Sequence, residues 1–574
     1  MFSLKNRLVR WGLSGVFLAA ALGAAAAFGA YLQSTGASSV GKFLVRVDTK
    51  LDEWRGAPRP IERDLATVET TFLQLKGRVL RPPVKEWRSG GALAVRGDRL
   101  IVMNRLGQLF ATDGASDLRA LDRITLPDSG RAAYLAAIET PKYADFHHKP
   151  FSFRYNDLLW AESGQQSGFA VSYTFYDPAR ECYGTRVAWA AAEAGAALET
   201  LQISASDWSV LFETRPCLPL NPTWTAIDGL MAGGRMAFEA PSTLYLGSGD
   251  YHLDGIHTYD VGLQSDQTSY GKVIAIDLAD GSDRIVSKGH RNPQGVALDR
   301  QGRLWVTDHG VRGGDELNLV RDGANFGWPN ETLGTLYNAQ PIPGLPYALH
   351  QEFDAPAFAW LPSPGLSSLT ALDGVDPAWD GDLIAGSLSS AGVGRSLWHI
   401  RTRGARVVFA ERIPLGHRIR YVTQFRNQLA VWFDTNDLAI FDLVRPPDPL
   451  AEAMAWLTST AAPTLVDDLR LVLTACNECH SFAKGDHRAG PSLNAVAGRE
   501  IASTTFDGYS GALESVAGTW DRERLKAYLK DPSDFAPGTT MPAQGLRDGP
   551  VLEALLDVLE RVGDGPERPE AYDN

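Results

Sequence analysis

Near its C-terminal end the sequence reads Cys476-Asn477-Glu478-Cys479-His480. Covalent attachment of a c-type haem requires two thiols about one helical turn apart and an adjacent imidazole for the iron. The main competing use of a Cys-x-x-Cys pair is a zinc site, which needs a second pair of ligands, but no cysteine follows Cys479. The segment therefore predicts one covalently bound haem c, with His480 as an iron ligand.

The sequence around this motif predicts a small all-α domain over residues 465–565. Apolar residues recur at helical spacing up to Cys476, which places the motif at the end of an amphipathic helix. A second helix is predicted near the C-terminus, with a shorter one before it. The apolar residues of these three helices are Leu465, Leu469, Val472 and Leu473, then Val551, Leu552, Leu555, Leu556, Leu559 and Val562, then Leu525, Tyr528 and Leu529.

The second axial ligand of the iron is predicted by elimination. Met541 is the only methionine after His480, and it lies in a loop between two predicted helices, Pro537–Pro542. A thioether ligand raises the reduction potential relative to a second imidazole. The alternative is His487, which lies close to the attachment site in sequence and would not easily reach the opposite face of the haem.

Over residues 465 to 563 the chain resembles the class I cytochromes c. The matching segments are CNECH, Gly490-Pro491-Ser492-Leu493, Gly498-Arg499, Tyr509-Ser510, Trp520 and PGTTMP. The resemblance implies that the carbonyl group of Pro491 accepts a hydrogen bond from the haem-ligating imidazole. It also implies that Tyr509 and Trp520 pack around the haem propionates.

The large middle part of the chain, residues 81–446, is predicted to be a six-bladed β-propeller. Its recurring unit is a β-hairpin with a glycine near the turn, as in Gly295–Gly310, and we count six such units. Unequal β units in series are typical of a propeller, in which each sheet buries its faces against its neighbours. The alternative is a large β-sandwich. Residues 447–464 are predicted to link the propeller to the haem domain.

The segment Gly289–Asn330 resembles the soluble pyrroloquinoline-quinone (PQQ) sugar dehydrogenases, and so does the segment Gly416–Arg420. PQQ is a flat ortho-quinone with three carboxylates, and guanidinium groups pair with carboxylates and stack on planar rings. The resemblance implies that three residues approach the cofactor and that two arginines hold its carboxylates and cover its face. The first set is Arg291, Asn292 and Gln294, and the second set is Arg418 and Arg420.

The same resemblance implies a calcium ion that acts as a Lewis acid on the quinone. The carbonyl groups of Gly310 and Val311 match the positions that ligate this ion, and Asp315 matches an acidic residue beside it. Arg291 and Asp315 are therefore the residues that we expect at the reacting centre.

Two positions depart from the pattern of these dehydrogenases. Met231 stands where the resemblance implies a histidine that removes the substrate proton, and Ser389 stands where it implies a lysine that contacts the quinone. A thioether cannot accept a proton at neutral pH, and a general base contributes roughly 100- to 10,000-fold in rate. Either another residue is the base, with Asp250, His252 and His257 nearest in sequence, or the propeller does not oxidise sugars.

The N-terminus indicates export from the cytoplasm. Lys5, Arg7 and Arg10 precede an uncharged run of 22 residues, Trp11–Leu32, which is long enough to cross a bilayer. The basic flank keeps the N-terminal side in the cytoplasm, so the rest of the chain is predicted to be periplasmic. Residues 1–32 are thus predicted to be a membrane anchor, with a cleaved signal as the alternative, and residues 33–80 a stalk with at most one strand.

Charge and cysteine content add two expectations. The net charge of −13 argues against a nucleic acid partner, because phosphate binding requires a basic surface. Cys182 and Cys217 are the cysteines outside the haem motif, and in an oxidising compartment we expect them to form a disulfide. The alternative is two separately buried thiols.

Together these features predict a periplasmic oxidoreductase. In this reading PQQ oxidises a sugar or another alcohol, and electrons leave through the haem to a soluble cytochrome or the respiratory chain. The rival reading is a non-catalytic propeller that docks a partner, in a protein whose only chemistry is electron transfer by the haem.

Overall fold

The computed structural model describes residues 63–83, 90–143, 153–163, 166–220, 229–256, 260–337, 339–342, 345, 352–389, 393–445, 449–542 and 546–563. The chain divides into two compact units, with the boundary between Val444 and Arg445. The predicted anchor, residues 1–32, and most of the predicted stalk lie outside the described residues. None of the described helices is long and apolar enough to cross a membrane.

The described residues of the N-terminal unit form six separate sheets, which confirms the six-bladed propeller and excludes the sandwich. Neighbouring strands within each sheet run antiparallel, apart from one short parallel edge strand in blade 3. Blade 1 contains β3 (Ala92–Arg96), β4 (Arg99–Met103), β5 (Leu109–Thr112) and β6 (Arg119–Ala120). Blade 2 contains β7 (Tyr155–Ser163), β8 (Gln166–Asp177), β9 (Cys182–Ala191), β10 (Ser209–Glu213) and β11 (Leu218–Pro219). Blade 3 contains β12 (Gly233–Glu239), β13 (Thr243–Ser248), β14 (Lys272–Asp277), β15 (Asp283–Lys288) and β19 (Ala324–Asn325).

The remaining three blades complete the ring. Blade 4 contains β16 (Pro293–Leu298), β17 (Leu304–Asp308), β18 (Asp315–Val320) and β20 (Phe358–Trp360). Blade 5 contains β21 (Leu366–Ala371), β22 (Leu383–Ser387), β23 (Ser396–Arg403) and β24 (Arg406–Pro414). Blade 6 contains β25 (Ile419–Phe425), β26 (Gln428–Phe433) and β27 (Leu438–Val444), together with β1 (Val68–Glu69) and β2 (Gln74–Leu80).

Blade 6 closes the ring with a strand from the opposite end of the unit. Strand β2 pairs antiparallel with β27, from Gln74 opposite Val444 to Leu80 opposite Leu438. The sequence placed residues 74–80 in the stalk, whereas the structure builds them into the propeller. The partner of β2 lies more than 350 residues further along the chain, so no local pattern shows the pairing.

Each interface between neighbouring blades has its own apolar cluster among the described residues. The clusters form because each sheet buries both faces against its neighbours, which removes apolar side chains from water. Representative pairs, from the interface of blades 1 and 2 round to that of blades 6 and 1, are Ile101 and Phe169, Val187 and Leu246, Val273 and Val306, Leu317 and Leu383, Leu397 and Val431, and Trp432 and Val102.

The first strand of each blade faces the central axis of the propeller. These strands, β3, β7, β12, β16, β21 and β25, contact one another in that order, and β25 contacts β3, so they form a closed ring. Five of the six have an irregular register within their first few residues. The residues just before these strands and at their starts therefore meet at one end of the axis.

The disulfide predicted from the sequence is present, between Cys182 at the start of β9 and Cys217 beside β11. It joins two segments of blade 2 that also pair as strands, with Leu218 opposite Tyr183. Among its described residues the unit also has the α-helix α1 (Arg131–Ile138).

The C-terminal unit is all-α around one apolar cluster. Its helices are α2 (Pro449–Thr460), α3 (Pro463–Cys479), α4 (Gly511–Glu514), α5 (Arg522–Lys530), α6 (Pro532–Phe535) and α7 (Pro550–Arg561). Helices α3, α5 and α7 coincide with the three predicted helices. The sequence placed a linker at residues 447–464, whereas residues 449–460 form α2, which packs on α3 and α7 through Ala453 and Leu457.

Candidate functional site

In the C-terminal unit, every residue that the sequence assigned to the haem lines one cleft. Its empty volume is about 1310 Å³ including its open mouth. Apolar side chains from α3, α5 and α7 complete the wall, which suits a flat macrocycle with an apolar face. The predicted residues in the cleft are Cys476, Cys479, His480, Pro491, Tyr509, Trp520 and Met541.

The two thiols lie at the C-terminal end of α3. His480 leaves the helix with extended backbone angles, while its N–H still donates to the carbonyl oxygen of Cys476. Cys476 and Cys479 are not joined in a disulfide, unlike Cys182 and Cys217. Both thiols remain available on one wall of the cleft, as thioether attachment to a haem requires.

The imidazole of His480 is oriented by Pro491. Its Nδ1 lies 2.7 Å from the carbonyl oxygen of Pro491, an acceptor that fixes Nδ1 as the protonated nitrogen. Nε2 is thereby left as the nitrogen with a free lone pair, which is the form that binds a metal. Gly490 allows this approach, because a Cβ atom at that position would lie 2.4 Å from Cε1 of His480.

The structure separates the two candidates for the second axial ligand. Met541 lines the cleft, and its loop is held by a hydrogen bond of 2.9 Å between the hydroxyl groups of Tyr528 and Thr539. Both ring nitrogens of His487 are engaged: Nε2 with the hydroxyl group of Thr505 and Nδ1 with the N–H of Ser492. His487 therefore lacks a lone pair for iron, and its side chain does not line the cleft.

Sequence reasoning gave Arg499 no role, although Gly498-Arg499 was part of the cytochrome match. Its guanidinium group lines the cleft and donates to the carbonyl oxygens of Ser492 and Asn494 at 2.9 Å. Burial lowers its pKa. The cleft thus has one cation in its wall, which could face a haem carboxylate.

In the propeller, four of the predicted site residues meet at the end of the central axis. The side chain of Asn292 accepts hydrogen bonds from the N–H of Gly233 at 3.1 Å and from Nε2 of Gln294 at 2.8 Å. Nδ2 of Asn292 lies 3.5 Å from Sδ of Met231. Arg291 precedes Asn292 and is 4% exposed. Met231, at the position that the resemblance implied for the base, therefore lies next to a residue that the resemblance assigns to the cofactor.

Asp315 organises the loop beside this cluster. Its carboxylate accepts three backbone hydrogen bonds, from the N–H groups of Gly310 at 3.0 Å, Gly365 at 2.7 Å and Leu366 at 2.9 Å. The side chain is 1% exposed. Asp315 thus ties blade 4 to blade 5, and its oxygens are used by the backbone.

The arrangement around Gly310 does not fit a calcium ion. Nη1 of Arg291 donates to the carbonyl oxygen of Gly310 at 2.7 Å and to that of His309 at 3.2 Å. The expected calcium position would therefore share a ligand with a guanidinium group. No cluster of three or more His, Cys, Asp or Glu side chains that could hold a metal occurs in the described part of the chain.

His309 is a neighbour that the sequence reasoning missed, although it directly precedes Gly310 and Val311. Its Nε2 is hydrogen-bonded to the carbonyl oxygen of Leu366, and burial lowers its pKa. Val311 is buried with the aromatic residues of the loops, including Trp328. A neutral imidazole therefore stands beside Arg291.

Arg418 and Arg420 share one carboxylate that the sequence reasoning did not identify. Nε of each arginine donates to Asp434 at 2.8 Å. Burial alone would raise the pKa of Asp434, but the two guanidinium groups outweigh it and lower that pKa to about 2. Arg420 is buried, whereas the side chain of Arg418 is 41% exposed. The signal for Asp434 is its place at the end of the hairpin that begins with Arg420.

Two further arginines occupy the centre. Arg235 donates to the carbonyl oxygens of Gly91, Asn156 and Arg420, and so bridges the starts of blades 1, 2 and 6. Arg154 lies just before β7 and is 5% exposed. The sequence gave no reason to select Arg154, because it lies outside the segments that resemble the dehydrogenases most closely.

The three alternative bases differ in their surroundings. The carboxylate of Asp250 is fully buried, accepts from Nε1 of Trp328 at 2.9 Å, and has a pKa that burial raises to about 6. His252 is half-buried, with Nε2 3.2 Å from Nη2 of Arg291. Its φ of 60° and that of Tyr251, 53°, are left-handed, which is strained for these residue types. His257 lies outside the described residues.

Ser389, at the expected lysine position, lies beside the loop that Asp315 holds. Its N–H donates to the carbonyl oxygen of Pro364 at 2.8 Å. A hydroxyl side chain there carries no charge, so the cationic groups at the centre are arginines. They are Arg154, Arg235, Arg291, Arg418 and Arg420.

The propeller sequence matches the model of the family "Glucose / Sorbosone dehydrogenase" over residues 169–440. The aldose sugar dehydrogenase YliI of Escherichia coli is 30% identical over 175 residues, 28% of this chain and 46% of that protein. The chain spans about half the length of the curated propeller relatives that it matches. A solved glucose dehydrogenase structure, 24% identical, covers 64% of this chain and 99% of its own, with a TM-score of 0.48.

The C-terminal domain matches a different set of proteins. The cytochrome c of Cannabis sativa is 38% identical over 79 residues, which are 14% of this chain and 71% of that protein. The match to the propeller family and the match to cytochrome c therefore fall on different parts of one chain.

Proposed function

The chain belongs to the cytochrome c family through its C-terminal domain, and its propeller is of the glucose/sorbosone dehydrogenase family. We propose an oxidoreductase activity that uses both domains. The protein is a haem-containing oxidoreductase in which PQQ, bound at the centre of the propeller, oxidises a sugar or another alcohol. The electrons then pass to the haem c of the same chain. The observation that carries the proposal is the buried arginine cluster beside Asn292 and Gln294 in a chain that also contains a haem cleft.

The donor set at the propeller centre fits a planar quinone with three carboxylates. Arg418 and Arg420 place two guanidinium groups against a single carboxylate, that of Asp434, which leaves donor capacity for an anionic ligand. Asn292 and Gln294 add neutral amide groups, both buried. Bound PQQ would supply the two-electron chemistry, and these side chains would bind and orient it.

The donor set in the cleft fits haem c. Cys476 and Cys479 would form the thioether bonds, and His480 and Met541 would ligate the iron. Haem supplies a one-electron carrier. Because both groups belong to one chain, the haem is held at high effective concentration relative to the quinone.

In this proposal His252 removes the proton from the substrate hydroxyl group. Met231 cannot serve, and Asp250 is fully buried with both oxygens engaged. His252 is half-buried and adjoins Arg291, whose Nη2 lies 3.2 Å from its Nε2, so this guanidinium group must turn away before the imidazole can accept a proton. An imidazole is an effective general base near pH 7.

Calcium is not part of this proposal, because Arg291 uses the carbonyl oxygen of Gly310. We propose that the protein acts in the periplasm, with residues 1–32 as its membrane anchor, and that a soluble cytochrome or the respiratory chain accepts its electrons. The support for export is the basic flank and apolar run of the N-terminus and the Cys182–Cys217 disulfide.

The test is sugar-dependent reduction of the haem, followed by absorbance after PQQ is added to the purified protein. A panel of aldoses and simple alcohols is the substrate set. The control replaces both Cys476 and Cys479 by Ser and uses a soluble dye as acceptor, which separates substrate oxidation from electron transfer. Dye reduction without haem reduction in the wild type would contradict the internal electron path.

One observation favours a second function, a non-catalytic propeller that docks a partner. Met231 and Ser389 replace the base and the lysine of the related dehydrogenases, at positions beside the proposed cofactor. Failure of PQQ to bind, measured by equilibrium dialysis, would favour this function over the first.

A further inference from the structure

Arg154 is a buried arginine with almost none of its hydrogen-bonding capacity used. It precedes β7 and is 5% exposed. Its Nε donates to Oδ1 of Asn156 at 2.9 Å. Neither terminal nitrogen of its guanidinium group has a hydrogen-bond partner among the described residues.

Two other buried arginines of the propeller, Arg96 and Arg235, behave differently. Nη2 of Arg96 donates to three carbonyl oxygens, those of Glu193, Ala194 and Ala196. Arg235 likewise donates to three carbonyl oxygens at the centre of the ring. A buried cation without partners costs several kcal/mol, so proteins normally satisfy it as they do at these two positions. Arg154 departs from this rule.

The positive charge of Arg154 is not balanced by a carboxylate of its own either. Burial lowers its pKa, and the neighbouring cations Arg420 and Arg235 act in the same direction, which brings the pKa to about 9. The nearest carboxylates are already used. Asp434 is bound by Arg418 and Arg420, and Asp157 accepts from the N–H of Met236 and lies 3.6 Å from Arg235.

The position of Arg154 points to the site described above. The side chain of Arg154 lies beside Gly90 at the start of blade 1, where a Cβ atom would be 3.6 Å from Cδ of Arg154, an ordinary contact distance. Arg420, the neighbouring charge that affects the pKa of Arg154 most, is one of the arginines expected to hold the cofactor. Four guanidinium groups, those of Arg154, Arg235, Arg418 and Arg420, thus meet two carboxylates, so this region has an excess of positive charge.

We propose that Arg154 binds a carboxylate group of a small molecule at the centre of the propeller. Its two free terminal nitrogens would donate to both oxygens of the carboxylate, the pairing for which a guanidinium group is best suited. The ligand cancels the excess of positive charge that the protein leaves unpaired. The proposal does not rest on the oxidoreductase function, since a docking propeller would carry the same site.

Two kinds of small molecule carry such a carboxylate, the quinone cofactor and an acidic sugar. The test therefore uses three probes, PQQ, glucuronate and citrate, with neutral glucose for comparison. Affinities are measured by calorimetry on the full-length haem-loaded protein and on Arg154→Met and Arg154→Lys variants. The matched control is Arg96→Met, which removes a buried arginine far from the centre.

We expect Arg154→Met to weaken the binding of at least one anionic probe about tenfold or more, because a charge-assisted hydrogen-bonded pair is lost. Arg154→Lys should recover part of the affinity. Loss confined to PQQ assigns the carboxylate to the cofactor, and loss confined to glucuronate assigns it to the substrate. Arg96→Met should leave all affinities unchanged.

The melting temperature without ligand distinguishes an arginine that binds a ligand from one that only stabilises the fold. Arg154→Met should keep or raise the melting temperature, because an uncompensated buried charge is removed, whereas Arg96→Met should lower it. The proposal is overturned if Arg154→Met retains wild-type affinity for every probe, or if no anionic probe binds the wild type. Absence of PQQ binding alone, with citrate or glucuronate bound through Arg154, would contradict the proposed oxidoreductase function and support this site.

Discussion

Nη1 of Arg291 donates a hydrogen bond to the carbonyl oxygen of Gly310 at 2.7 Å. The resemblance to PQQ dehydrogenases assigns the same oxygen to a calcium ion. A guanidinium group and a divalent cation at the same oxygen repel each other, so this hydrogen bond opposes calcium binding. The hydrogen bond between Arg291 and Gly310 therefore decides whether a metal ion binds at this oxygen.

We expect Arg291→Met to destabilise the propeller by about 2–6 kcal/mol, because two buried carbonyl oxygens lose their donor at about 1–3 kcal/mol each. Millimolar calcium should raise the denaturant midpoint of this variant but not that of the wild type, since only the variant frees the oxygen of Gly310. Tryptophan fluorescence in urea measures both. Arg215→Met, which removes an exposed ion pair with Asp283, is the control. Equal stabilisation of the wild type by calcium would show that Arg291 does not block the ion.

Replacing both Cys476 and Cys479 by Ser should abolish covalent haem attachment. The two thiols lie on one wall of the cleft, and neither is consumed in a disulfide. Haem staining after denaturing electrophoresis is the measurement. The paired control replaces Cys182 and Cys217 by Ser and should stain as strongly as the wild type. Retained staining in the first variant would refute the attachment site.

Met541→Ala should lower the reduction potential of the haem and open the iron to small ligands such as carbon monoxide. A thioether ligand raises the potential, and its loss leaves one coordination position free. A spectroelectrochemical titration measures the potential. His487→Ala should leave the potential unchanged, because both of its ring nitrogens are engaged elsewhere. The opposite result for the two variants would make His487 the ligand.

If PQQ binds and only the base is weak, Met231→His should raise the rate of sugar oxidation at least about tenfold. The reason is that a positioned general base contributes roughly 100-fold or more in rate. The new imidazole would stand where Sδ of Met231 lies 3.5 Å from Nδ2 of Asn292. The assay is sugar-dependent haem reduction with PQQ present. Met231→Leu keeps the apolar volume and should show no gain. An active wild type that loses activity on His252→Ala, with no gain from Met231→His, would identify His252 as a sufficient base.

Reduction of the Cys182–Cys217 disulfide should destabilise the propeller by roughly 4 kcal/mol in the chain-entropy model of loop closure. The two cysteines are 35 positions apart, and they tie β9 to the segment at β11. The melting temperature of the Cys182→Ser/Cys217→Ser variant measures the effect. An unchanged melting temperature would mean that the strand pairing alone holds this segment.

The propeller and the haem domain differ in how far their sequences predict them. Repeated hairpins with a glycine at the turn predicted six blades, because each blade folds from contiguous residues. The closing strand β2 was missed, since its partner β27 is remote in sequence. Helix α2 was also missed: its residues were assigned to a linker, and only packing on α3 and α7 shows their place in the core.

The sequence by itself determined the residues of the predicted haem site, because two thiols on one helical turn and the imidazole directly after them lie within five residues. It also determined which residues belong to the dehydrogenase-like segment, and the structure gathers Arg291, Asn292, Gln294 and Met231 as that resemblance implied. Only the tertiary structure decided how these groups are used. The closed ring brings Arg154, Arg235, Arg420 and Asp434, which are up to 280 residues apart, to one end of the axis. Hydrogen bonds and charge at that meeting point depend on distances through space, and the order of residues along the chain does not specify them.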